Sequence, residues 1–228
     1  MNNMVTGACF FLATILVFAI TKLVYKKIPS PFTLPIFLTS VFFVLLLVTT
    51  DFSYSDYWNG GKWIDQFLGP VVVALALPLY RQLELIKRYA RTILTGVFAG
   101  SVVGVLTGII GVKLLGFENI IIYTVAAKSV TTPVALSITE TAHGNLALAA
   151  VFVMIAGISG AMFGPLILKI CRVTHPVARG IGIGTASHAI GTSKALELGE
   201  LEGSVSALSM TISAVFVSFL VPLFLVFV

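Results

Sequence analysis

The chain has 228 residues, of which 58% are hydrophobic and only 10% charged, and its mean hydropathy of +1.07 lies far from soluble proteins, in which about a quarter of residues carry charge. Apolar stretches of about 20 residues, each enough to cross a hydrocarbon core of about 30 Å, follow so closely that residues 1–228 read as one all-α, polytopic membrane domain. The net charge of +5 does not imply nucleic acid, because most of the 14 Lys and Arg sit in short loops beside apolar segments, where they orient the chain in the bilayer.

The first span is expected from Val5 to Tyr25. Cys9 follows Thr6-Gly7-Ala8 with no basic leader before it, so a cleaved signal is not expected, and with Cys171 as the second of 2 cysteines neither a disulfide framework nor a metal site is expected. Lys22, Lys26 and Lys27 place the end of this span in the cytoplasm and the N-terminus outside. Phe32 to Thr50 returns outward after Pro29 and Pro31, and Asp51 to Gly61 reads as an acidic, aromatic, Gly-rich loop. Trp63 to Tyr80 goes back in and meets the basic run Arg81 to Arg91, read as a short cytoplasmic helix. Thr92 to Leu115 crosses outward with Gly96, Gly100, Gly104, Gly108 and Gly111 at mostly four-residue steps, a face suited to close helix packing.

Two later segments are polar where their flanks are lipid-like. Asn119 to Ala142 contains Lys128-Ser129-Val130-Thr131-Thr132-Pro133, and Pro133 both lacks an N–H and disfavours helix at Thr132. Val177 to Glu202 contains Gly184-Thr185-Ala186-Ser187-His188 and Gly191-Thr192-Ser193-Lys194. Irregular backbone at membrane depth must be buried in protein or line a water-filled cavity. If both segments crossed fully, Lys169, Arg172 and Arg179 would lie outside, against the charge rule; as hairpins entering from opposite faces they leave those residues inside. The expected architecture is six full crossings and two broken or re-entrant hairpins, in the manner of an inverted-repeat transporter, with eight crossings as the alternative. Leu146 to Lys169 and Ser204 to Val228 are ordinary spans.

Paired interruptions of this kind mark transporter binding sites, and half-helix N-termini at the midplane favour an anion. The expected substrate site comprises Lys128, Ser129, Thr131, Thr132, Thr185, Ser187, His188, Thr192, Ser193 and Lys194, with the helices broken at Pro133, Gly184 and Gly191. Lys128 has no acidic neighbour in sequence and suits a counter-ion for a small carboxylate; Lys194 serves either that role or a pair with Glu197 three residues on. His188 either carries a coupling proton or is a neutral member of a hydroxyl network, and Glu197 is the second candidate for ion coupling. No cofactor is expected, and the coupling ion is H+ or Na+. Paired catalytic aspartates, His-Glu-x-x-His and Gly-x-Ser-x-Gly do not occur, so an intramembrane enzyme is not expected.

Lys128 to Pro133, the run Pro176 to Thr192, Ala195 to Gly203, and Leu68-Gly69-Pro70 through Pro78-Leu79-Tyr80 resemble the LrgB/CidB family over nearly the whole chain. The resemblance implies a multi-pass protein of the bacterial plasma membrane, as a homo-oligomer or with a small LrgA/CidA-type membrane partner. It also implies one of two functions: an antiholin-like regulator of murein hydrolase activity and lysis, or a carrier of pyruvate, glycolate or glycerate like a plant chloroplast relative. Both stay open on the sequence.

Overall fold

A computed structural model describes residues 3–74 and 76–227. Met1, Asn2 and Val228, at the ends of the expected single domain, and Leu75, inside the expected Trp63–Tyr80 span, lie outside the described residues. Every regular element among those residues is helical, which makes this an all-α polytopic membrane protein. The chain forms two compact units, residues 1–76 and 77–228.

In the first unit, α1 (Asn3–Lys27) and α2 (Pro35–Thr49) are apolar helices joined through a 3-10 turn at Pro31–Thr33. A buried polar link between them is a 3.1 Å bond between the hydroxyls of Thr21 and Thr39. The stretch expected as a loop after Asp51 is instead α3 (Tyr54–Asp65), and two local causes explain it. Ser53 and Asp56 form a reciprocal cap, with the Ser53 N–H donating to Asp56 at 2.9 Å and the Asp56 N–H to the Ser53 hydroxyl at 3.3 Å. Gly60 then lets α3 lie directly on Gly7 and Phe11 of α1. The expected span to Tyr80 is helical over the described residues on either side of Leu75, α4 (Leu68–Ala74) and α5 (Ala76–Arg81).

In the second unit, α6 (Leu83–Arg88) is the expected short basic helix, followed by α7 (Ala90–Leu114), α8 (Asn119–Val125), α9 (Thr132–Thr141), α10 (Leu146–Ile170), α11 (Pro176–Leu198) and α12 (Glu200–Leu225). Helices α1, α7, α10 and α12 are long and apolar enough to cross a membrane.

Neither polar segment runs straight. The Asn145 N–H donates to the Thr124 hydroxyl at 2.9 Å, although 20 residues of continuous helix would separate such groups by about 30 Å. The chain from Asn119 to Asn145 therefore doubles back, with its tip at Ala126–Thr131. α11 folds on itself in the same way at His188, whose φ of 42° and ψ of −137° interrupt the helix. Beyond that point Gly191 packs on Ile183, and Ser206 of α12 touches both Gly184 and Thr192, one from each arm. Since α10 carries the chain from the first hairpin to the second, the two enter from opposite ends of the bundle. This geometry supports the re-entrant arrangement over eight crossings. Single cysteines at Glu118 and Glu140, both exposed, are expected to react with an impermeant maleimide from one face of the membrane and a cysteine at Arg172 from the other. Glu118 and Glu140 labelling from opposite faces would overturn the hairpin.

Candidate functional site

Both hairpin tips are seated by glycines. On α7, a side chain added at Gly96 would meet Ile181, at Gly100 the Thr185 hydroxyl (3.2 Å), at Gly104 the Ser129 hydroxyl (3.4 Å), and at Gly108 the Lys128 ammonium (2.9 Å). One stripe thus receives the second hairpin on Gly96 and Gly100 and the first hairpin on Gly104 and Gly108. The face suited to close helix packing is filled from within the chain at Gly96, Gly100, Gly104 and Gly108. On α10, Gly157 faces His188, Gly160 faces Ser187 and Gly164 faces Ile183. At Gly160 the approach is so close that no Cβ could fit beside Ser187.

Gly104 lies ten residues from the end of α7, about 15 Å at 1.5 Å per residue, so the first tip reaches well into the bundle. There the Lys128 ammonium donates to the Gly104 carbonyl at 2.7 Å. Among the described residues the ion pairs are Arg81–Glu200 (3.8 Å), Arg179–Glu202 (4.0 Å) and Lys194–Glu197, and none involves Lys128. The first two of these pairs tie Arg81 and Arg179 to the start of α12 at the base of the second hairpin. The Arg179 Nε–H also donates to the Val173 carbonyl at 2.9 Å.

Between α7, α10 and the two tips lies a cavity of about 620 Å³, within the range of small-molecule sites. Lys128, Ser129, Thr185 and Ser187 face it, and Val103, Phe163, Ile167 and Leu168 give it apolar walls. Thr185 donates its proton to the Ile181 carbonyl at 2.6 Å, leaving its oxygen as an acceptor. One ammonium and several hydroxyls against apolar walls can neutralise and orient a small anion.

Of the ten expected site residues, four meet in this way. His188 is 4% exposed and lies behind the wall, its Nε2 3.0 Å from the Val153 carbonyl, to which it donates as the Nε2–H tautomer. Thr192 is fully buried and donates to the His188 carbonyl at 2.8 Å; its hydroxyl also lies 2.9 Å from that of Ser206. Thr131 caps α9 and Thr132 begins it, with Pro133 in the first turn where a missing N–H does no harm; none of the three lines the cavity. Ser193 is exposed and donates to the Ala189 carbonyl at 3.2 Å. Lys194 pairs with Glu197, away from the cavity. The second helix breaks at His188 and not at Gly184 or Gly191, whose lack of side chains serves close packing on Ser206 and Ser187. Gly100, Gly104 and Gly160, the seats of the tips, were not among the expected site residues; the four-residue spacing of Gly100 and Gly104 was visible, but not which surface would fill it.

The chain is 46% identical over 205 residues to YxaC of Bacillus subtilis, covering 90% of this chain and 89% of that protein. It is 34% identical to YwbG of Bacillus subtilis, over 98% of this chain and all of that one. It is 31% identical to a protein named holin-like protein CidB in Staphylococcus aureus, over 97% of both chains. No solved structure matches it. The LrgB-like family pattern matches residues 14–227, and the chain belongs to the LrgB family.

Proposed function

We propose that this protein is a secondary transporter of small monocarboxylates or 2-hydroxy acids, of the pyruvate, glycolate, glycerate and acetate class, across the bacterial plasma membrane, driven by H+ or Na+. The observation that carries the reading is Lys128: an ammonium at the tip of a re-entrant hairpin, facing a cavity and held by one carbonyl with no carboxylate among its described partners. An intramembrane cation of this kind is costly unless it has a partner, and a bound carboxylate supplies one. Ser129 and Ser187 offer hydroxyl donors on two sides of the same space, so a small anion can be bound by both hairpins and released when they part.

The test is uptake of labelled pyruvate, glycolate and acetate by proteoliposomes containing the purified chain. Ser187→Ala removes one donor at little cost in shape. Loss of a hydrogen bond to a charged group, about 1.5–3 kcal/mol, should weaken substrate affinity roughly ten- to a hundredfold. Wild-type uptake of none of the three acids would sink the reading.

The name of the staphylococcal relatives favours a second reading, a holin-like or antiholin-like component that regulates murein hydrolase activity and lysis with an LrgA/CidA-type partner. Carboxylate flux could itself be the signal in such a system. With the glycine stripe of α7 filled from within, a homo-oligomer or partner complex must use another surface. A chain that is a monodisperse monomer in nanodiscs and transports alone would remove the partner from the proposal.

A further inference from the structure

The buried face of α12 carries Ser206, Ser209 and Ser213, each 0–1% exposed. Elsewhere on this helix, hydroxyls fold back on their own backbone: Ser204 donates to the Glu200 carbonyl (2.7 Å), Thr211 to Ala207 (3.0 Å) and Ser218 to Ala214 (2.8 Å). Ser206 and Ser213 instead reach off the helix, to the hydroxyls of Thr192 and Ser101, each at 2.9 Å. Ser209 lies between them and does neither. Its buried Oγ has no hydrogen-bond partner among the described residues, an expensive condition for a hydroxyl unless something else binds it.

The surroundings of Ser209 select the chemistry of that partner. Its Cβ packs against Gly184, as does the Ser206 carbonyl. Gly184 opens the last turn of the first arm of α11, which ends at His188. The reversal at His188 ends that arm and presents the negative end of its dipole there. Hydroxyls and helix-end carbonyls are hard, uncharged oxygen ligands, as found for alkali ions at broken transporter helices. Among the described residues no group of three His, Cys, Asp or Glu could hold a metal ion, which argues against a divalent cation, since those take carboxylates. The nearby acid Glu202 is engaged with Arg179 at the hairpin base, and the His188 ring is turned away to Val153.

We infer that Ser209, Ser206, Thr192 and the carbonyls of the turn before His188 form a sodium site between α11 and α12, on the side of the second hairpin opposite the anion cavity. The binding site stands on this geometry alone; only its role in coupling rests on the transport reading.

The experiment follows thermal melting of the purified full-length chain, with no carboxylate present, in sodium, potassium or choline chloride at one ionic strength. Saturable stabilisation by sodium and not by choline is expected. Ser209→Ala should raise the sodium concentration for half effect about tenfold, and Ser218→Ala, on the exposed face, should leave it unchanged. Should Ser209→Ala fail to fold, Ser209→Cys keeps the size and replaces a hard ligand with a soft one. Equal melting in all three salts overturns the inference, as does an unchanged sodium response in the Ser209 variants. A buried water on Ser209 gives that second result. Sodium-dependent melting in a chain that carries no carboxylate would leave the site standing and remove the transport reading, whereas uptake without any sodium effect on melting would remove the site alone.

Discussion

Lys128→Met is expected to abolish saturable carboxylate uptake, or to weaken affinity by about a hundredfold or more, while the protein still folds. The ammonium faces the cavity and donates to a single backbone carbonyl, so its removal leaves one acceptor on α7 that water in the cavity can satisfy. Methionine keeps the length of the stem against Gly108. What is lost is the only cationic group that lines the cavity among the described residues. A charge-assisted hydrogen bond contributes about 1.5–3 kcal/mol, and the Coulomb attraction of a desolvated pair adds to it. The measurement is substrate affinity by binding or uptake, beside a melting curve. Wild-type affinity in a folded variant would remove Lys128 from the site and with it the observation that supports transport.

Gly184→Ala should be the most damaging single methyl in the second hairpin. A Cβ at Gly184 falls inside contact distance of the Ser206 carbonyl and 2.9 Å from the Ser206 Cα. Both are main chain, so no rotamer change relieves the clash and α11 must move off α12. Overpacking of this sort costs about 1–3 kcal/mol, and a fall of several degrees in melting temperature should follow. Gly182→Ala is the internal control, since its Cβ would meet only Leu168 at an ordinary 3.6 Å. Equal melting of the two variants would mean that α11 and α12 are not packed as described.

Hydropathy alone located the ends of α1, α7, α10 and α12 to within four residues, because a helix in lipid must be apolar along its length and charged residues bracket its ends. The two hairpins were visible for a related reason: Pro133 and the glycine-separated hydroxyls of α11 are hard to reconcile with an uninterrupted crossing, and the basic residues after α10 fix which ends share a face. What was not legible was the partition within the polar runs. Ser187 and Thr192 look alike in sequence, yet one faces the cavity and the other is sealed behind it, because a reversal at a single residue, His188, turns the two arms to different neighbours. Nor was a break at a histidine between two glycines legible, although histidine tolerates positive φ better than most residues; its ring packs on Gly157. α3 was missed because its two glycines and polar surface outweighed the cap at Ser53.

The stripe on α7 has a mechanical consequence. Thr185 of one hairpin and Ser129 of the other rest on Gly100 and Gly104, one helical turn apart on a single rod. If α7 rolls about its own axis by even a few tens of degrees, both seats swing together and both tips must follow or detach. Neither tip can then leave its seat independently of the other, and the two hairpins are interlocked through one helix, as on a camshaft.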